Sequence, residues 1–134
     1  MSNLNVFLNP APVENEAVII SQRFLDEHGK PVPFIIRPIT QKENDFLIRQ
    51  STRTIKVNGH PVEKLDNVEY SRRVVIAATV TPDFTREELC RAYDTMDPLE
   101  VPGKMLLVGE YNKLSAAIMA LSGLEVDLEE QAKN

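Results

Sequence analysis

The 134-residue chain has no tryptophan, one cysteine, two histidines and five glycines, and nothing resembling a long hydrophobic run. Each scarcity excludes something. Cys90 alone cannot form an internal disulfide, and a free thiol fits a reducing cytoplasm, the expected location. Cys90, His28 and His60 are too few and too scattered for a zinc site built in the usual way. Glycines at 29, 59, 103, 109 and 123 compose neither a Walker loop nor a dinucleotide fingerprint. The longest apolar stretch, residues 116 to 121, has six residues against the roughly 20 of a membrane-spanning helix. The first ten residues lack the positive flank and apolar stretch of a signal peptide. A net charge of −5 also argues against a phosphate backbone as principal partner, so neither membrane nor nucleic acid is expected.

What is present is an aliphatic, globular composition, 43% hydrophobic with only 6% aromatic residues, in a chain of one-domain length. The charge is uneven. After Gly123, Glu125, Asp127, Glu129 and Glu130 stand against Lys133, leaving only −2 for the rest. The domain reading follows: an arm over 1 to 16 with little periodicity, a single domain over 17 to 123, and an acidic, flexible tail over 124 to 134.

The patterning predicts an α+β fold, an N-terminal β-hairpin and a small second hairpin packed with four to five helices. Residues 17 to 25 alternate, with Val18, Ile20 and Phe24 on one face and Ser21 and Arg23 on the other; 32 to 38 alternate again, with Gly29 in the turn between. Pro33 has no amide to give a ladder, so the second strand is expected at an edge or bonded on one side only. Asn58-Gly59 suits a type I′ turn between strands 54 to 57 and 60 to 62. Helix starts share one grammar: Thr40 with Glu43, Asp66 with Glu69, Thr85 with Glu88, and Asp97 with Glu100 are capping boxes. The first opens a helix to about residue 53 that buries Phe46 and Leu47. The second opens a central helix over 67 to 80; its β-branched Val74-Val-Ile76 would also suit a buried strand, and the cap decides for helix. The last helix, 110 to 122, carries Tyr111, Leu114, Ile118 and Leu121 on one stripe, with Gly123 as its C-terminal cap.

No catalytic constellation emerges from this inventory, so catalytic residues, metal ligands and cofactors are expected to be absent. The carboxylates serve as caps or tail solvation, Arg72-Arg73 and Arg49 with Arg53 read as solvated faces, and both histidines sit in turns. What remains is a surface for protein. Flexible and aromatic side chains gather near the last helix, and the candidate partner-binding residues are Met105, Leu106, Leu107, Tyr111, Leu114, Ile118 and Met119, continued by Leu124, Val126 and Leu128 in the tail.

The order of several short motifs carries a resemblance. Ser21-Gln-Arg-Phe24, Asp26-Glu, Gly29-Lys-Pro-Val-Pro-Phe34, Ile36-Arg37, Gly103-Lys-Met-Leu-Leu107, Gly109-Glu-Tyr111 and Glu130-Gln-Ala-Lys-Asn134 together resemble the XkdN-like phage tail assembly chaperones of prophages and tailed phages of Gram-positive bacteria. Val108 departs from the pattern, which would place a proline there to open the last helix. The resemblance implies a small acidic cytoplasmic protein that binds the tape measure protein and keeps it soluble until tail tube subunits polymerise around it. It also implies a longer frameshifted product, through which the major tail tube protein becomes a second partner. Ala132-Lys133-Asn134 is compatible with a slippery heptamer in the gene. Homo-oligomerisation stays open. The alternatives are a structural tail completion or connector protein of the virion, and a small enzyme or regulator acting on host nucleic acid.

Overall fold

The computed structural model describes residues 3–124 of the chain. Its elements run α1 (Leu4–Leu8), β1 (Glu16–Val18), β2 (Phe34–Ile36), α2 (Gln41–Gln50), β3 (Thr52–Val57), β4 (His60–Leu65), α3 (Asn67–Ala78), β5 (Thr79–Thr81) and α4 (Glu87–Ala92). A 3₁₀ turn at Pro98–Glu100, α5 (Val101–Met105) and α6 (Val108–Leu121) complete the fold. This is the expected α+β architecture, with two small antiparallel sheets, β1-β2-β5 and β3-β4, and six helices among the described residues.

The first hairpin forms around Gly29, whose φ of +75° is left-handed and suits glycine. Asp26 Oδ1 accepts the His28 and Lys30 amides at 2.8 and 3.0 Å and so shapes the turn. The ladder is short. Glu16, Ala17 and Val18 pair with Ile36, Ile35 and Phe34, and beyond them only Leu25 and Pro31 bridge. Two expectations are corrected here. The second strand is central, not an edge, because β5 pairs on its other side; Pro33 precedes the ladder, so its missing amide costs no bond. Ser21 is buried, because the strand breaks after Val18 and turns the hydroxyl inward. The arm also contains the short helix α1, which its lack of periodicity did not announce.

α2 starts as expected. Thr40 Oγ1 accepts the Glu43 amide at 3.2 Å and the Glu43 carboxylate accepts the Thr40 amide at 3.3 Å. The helix ends at Gln50, and Phe46 is 53% exposed while Leu47 is buried, so only half of the expected apolar pair enters the core. Ser51 is fully buried; its carbonyl accepts the Asp66 amide at 2.8 Å and closes the base of the β3-β4 hairpin. That hairpin projects into solvent from its base, turning at Asn58 and Gly59 with φ of 53° and 79°. The register Thr52 to Leu65 through Val57 to His60 extends it beyond the expected strands.

α3 is the central element, packed against α2, α5, α6 and the 3₁₀ turn, with Val74, Val75 and Ala78 buried. The Asp66 carboxylate accepts the Glu69 amide at 3.0 Å. The helix hands over directly to β5, because Thr79 takes extended geometry. Three cap expectations are corrected, the first being the Asp66 and Glu69 box: the Asp66 amide goes to the Ser51 carbonyl and not to the Glu69 carboxylate, so only half of it forms. Thr85 caps nothing; its hydroxyl and amide go to Asp83, and α4 begins after Arg86. Asp97 caps the 3₁₀ turn through the Leu99 amide at 3.0 Å, with Pro98 in the first position, while Glu100 accepts from the Thr95 hydroxyl instead of returning to Asp97. α6 ends in a Schellman motif: the Leu124 amide reaches the Met119 carbonyl at 2.7 Å, the Gly123 amide reaches Ala120, and Gly123 has φ +89°. The core joins both regions, with Ile36, Phe84, Val101, Leu114 and Ile118 at 0% exposure.

Candidate partner-binding surface

Residues 101 to 111 make a helix, a two-residue corner and a second helix start, and the corner decides which side chains face out. Met105 and Leu106 turn into the core, whereas Leu107 and Val108 are 60% and 80% exposed. The corner is held by charge. Glu110, in the first turn of α6, accepts the Leu107 amide at 2.8 Å and the Arg23 guanidinium at 2.5 and 3.0 Å, and also takes the Ser21 hydroxyl. Arg23 donates onward to the Met105 carbonyl at 3.1 Å, bracing the end of α5. The hydrogen bonds from Arg23, then those from Ser21 and the Leu107 amide, hold the Glu110 carboxyl at about 2, below its ordinary 4.5. The first hairpin thereby fixes the start of α6 from 87 residues away in the sequence.

Beside this corner a shallow groove of about 440 Å³ opens between α3 and α6. Val68, 61% exposed, and Val108 form its two apolar walls, with Leu106 and Tyr111 also lining it. The Tyr111 hydroxyl sits 2.7 Å from the Ser71 hydroxyl, which fixes the ring against α3.

The expected partner-binding residues therefore divide. Leu107 is exposed, and Tyr111 and Met119 are half-buried at the surface. Met105, Leu106, Leu114 and Ile118 are core residues: α6 has a single apolar stripe, and α3 covers it. Leu124 is 57% exposed at the end of α6, while Val126 and Leu128 lie outside the described residues. Val68 was missed because it stands in the first turn of a helix whose stripe lies elsewhere. The exposed apolar side chains of α1, Leu4, Val6, Phe7 and Leu8, were missed too. Their signal was the apolar cluster at 4, 6, 7 and 8.

A second groove, about 540 Å³, runs between α2 and α3 and reaches Leu99. Phe46, Leu47, Ile76 and Ala77 make it apolar, and Lys42, Arg49 and Arg73 stand around it. Glu43, also on this groove, is engaged by Arg37 at 2.6 and 3.1 Å. That bonding lowers the Glu43 pKa and raises that of Arg37. Arg73 lies 3.7 Å from Glu69, whose same oxygen is taken at 2.6 Å by Arg53. Among the described residues, no group of His, Cys, Asp and Glu could hold a metal ion, and no helix is long and apolar enough to cross a membrane.

A small α+β body with apolar grooves between its helices is the class of fold that the described residues define. Comparison with known proteins makes the class specific. The family model for the phage XkdN-like tail assembly chaperone protein matches residues 4–134, and the chain belongs to that family. It is 41% identical over 140 residues to the phage-like element PBSX protein XkdN of Bacillus subtilis (strain 168), covering 98% of this chain and 94% of that protein. It is also 40% identical to YqbN of the same strain, covering 98% and 93%. The crystal structure of YqbN superimposes with a TM-score of 0.78 at 32% identity, covering 92% of this chain and 98% of that one.

Proposed function

We propose that the chain acts as a non-catalytic chaperone for the tape measure protein, seating an apolar helical segment of it in the α3-α6 groove. The observation that carries this reading is the pair of walls, Val68 and Val108, exposed on either side of a groove with a fixed tyrosine. The two valines flank one groove and so make a single apolar site, which a helix with apolar residues at i, i+3 and i+4 would cover. The tape measure protein is long, helical and apolar, and shielding one segment at a time would keep it soluble in the host cytoplasm before tail tube subunits enclose it. Leu107 and Tyr111 stay in the docking set; Met105, Leu106, Leu114 and Ile118 act behind it by holding α5 and α6 in place. A longer frameshifted product would bring tail tube subunits to the same complex.

Truncation after Gly109 would remove Leu114 and Ile118 from the core, so it cannot separate binding from folding. The test is co-expression of the tape measure protein with the full chain carrying Val68→Asp and Val108→Asp. The tape measure protein is expected in the pellet with the variant and in the supernatant with the unaltered chain, while the variant itself stays folded. Equal solubility with both would refute the groove as the docking site.

A further inference from the structure

The α2-α3 groove belongs to none of the above. Its floor is Leu47, Ile76 and Ala77, and Phe46 is left 53% exposed at its edge. Three cations surround it while its carboxylate is already neutralised. Lys42 and Arg49 take part in no ion pair among the described residues, and Arg73 shares one Glu69 oxygen with Arg53. The Nε of Arg73 is buried without a hydrogen-bond partner. An apolar trough with a positive rim fits an extended segment that alternates apolar and acidic residues, because alternation puts one kind down and the other out.

Such a segment lies in the same chain. Leu124, Val126 and Leu128 alternate with Glu125, Asp127 and Glu129, followed by Glu130. Its starting point is next to the groove, since the Ser122 hydroxyl accepts the Ile39 amide at 3.0 Å, one residue before the Thr40 cap of α2. Reach is sufficient. From Lys42 to Gln50 the helix advances roughly 12 Å, and four or five extended residues span that distance of the ten that follow Leu124.

We propose that residues 124 to 130 dock in cis along the α2-α3 groove, Val126 and Leu128 on its apolar floor and the carboxylates against Lys42, Arg49 and Arg73. The test is methyl NMR on the full chain, comparing it with a variant carrying Val126→Asp and Leu128→Asp. The Leu47, Ile76 and Leu99 methyl resonances are expected to shift, with Leu114 and Ile118 unmoved. Arg49→Glu should shift the same resonances, and adding Asp127→Lys with Glu129→Lys should return them towards their original positions. Groove resonances that coincide in the tail variant and the unaltered chain overturn the proposal. So does a shift that disappears on dilution, since the seat would then belong to the tail of a second copy.

Discussion

Truncating Leu114 to alanine separates its two readings, partner contact and core residue. The side chain has 0% exposure in the seam between α6 and α3. Burial of that kind makes Leu→Ala cost about 2 to 5 kcal/mol, the lost transfer energy plus the cavity left behind. Taking ~3 kcal/mol, and an unfolding entropy of about 2.1 cal/mol/K per residue over 134 residues, the melting temperature should fall by about 10 °C. Val108→Ala, at 80% exposure, should stay within about 0.5 kcal/mol, or roughly 2 °C. Because the chain has no tryptophan, far-UV circular dichroism of thermal and urea unfolding is the suitable assay. The urea slope should be unchanged in both variants, so that a midpoint shift reports stability alone. If Leu114→Ala melted within about 2 °C of the unaltered chain, the assignment of α6's stripe to the core would be wrong.

Two further outcomes follow from the hydrogen bonding. Glu110 is held at about 2 in the folded protein against an ordinary 4.5, so between these values the unfolded chain binds the proton and the folded chain does not. Its contribution is therefore present above about 4.5 and lost as the pH falls towards about 2; the gap in urea midpoint between the unaltered chain and Glu110→Gln should close over that range, and a constant gap would contradict the network. Asp66→Ala removes the acceptor for the Glu69 amide at the start of α3 and should cost about 1 kcal/mol by urea unfolding, with no change in the α2 cap.

Local chemistry made much of the fold legible. The Thr40 and Glu43 box, the Asn58-Gly59 turn and the Gly123 cap each depend on neighbours within a few residues, and each stands where the sequence placed it. Long-range partners were not legible in the same way. Ser21 goes inward to meet Glu110, 89 residues away, and alternation along the first strand contains no trace of that bond. β2 becomes central only because β5 arrives from the end of α3, and a proline rule applied to one strand cannot register a third. Thr85 lost its cap because Asp83, two residues earlier, competes for the same hydroxyl and amide.

The surface was half legible for a related reason. Periodicity finds the stripe of a helix but not which neighbour covers it, so Leu114 and Ile118 looked available until α3 was seen to lie on them. Leu107 ends the corner and Val108 opens α6, where periodicity gives no instruction and the Glu110 network decides what faces out. Phe46 and Leu47, adjacent in sequence, divide between groove edge and core because neighbouring positions on a helix point about 100° apart.

The central claim, that a tape measure segment lies between α3 and α6, is tested most directly by photocrosslinking in the co-expressed complex. A photoactivatable residue at position 108 should give an adduct with the tape measure protein. The same residue at Val57, at the tip of the projecting β3-β4 hairpin, should give none. An adduct from position 57 with none from position 108 would contradict the account.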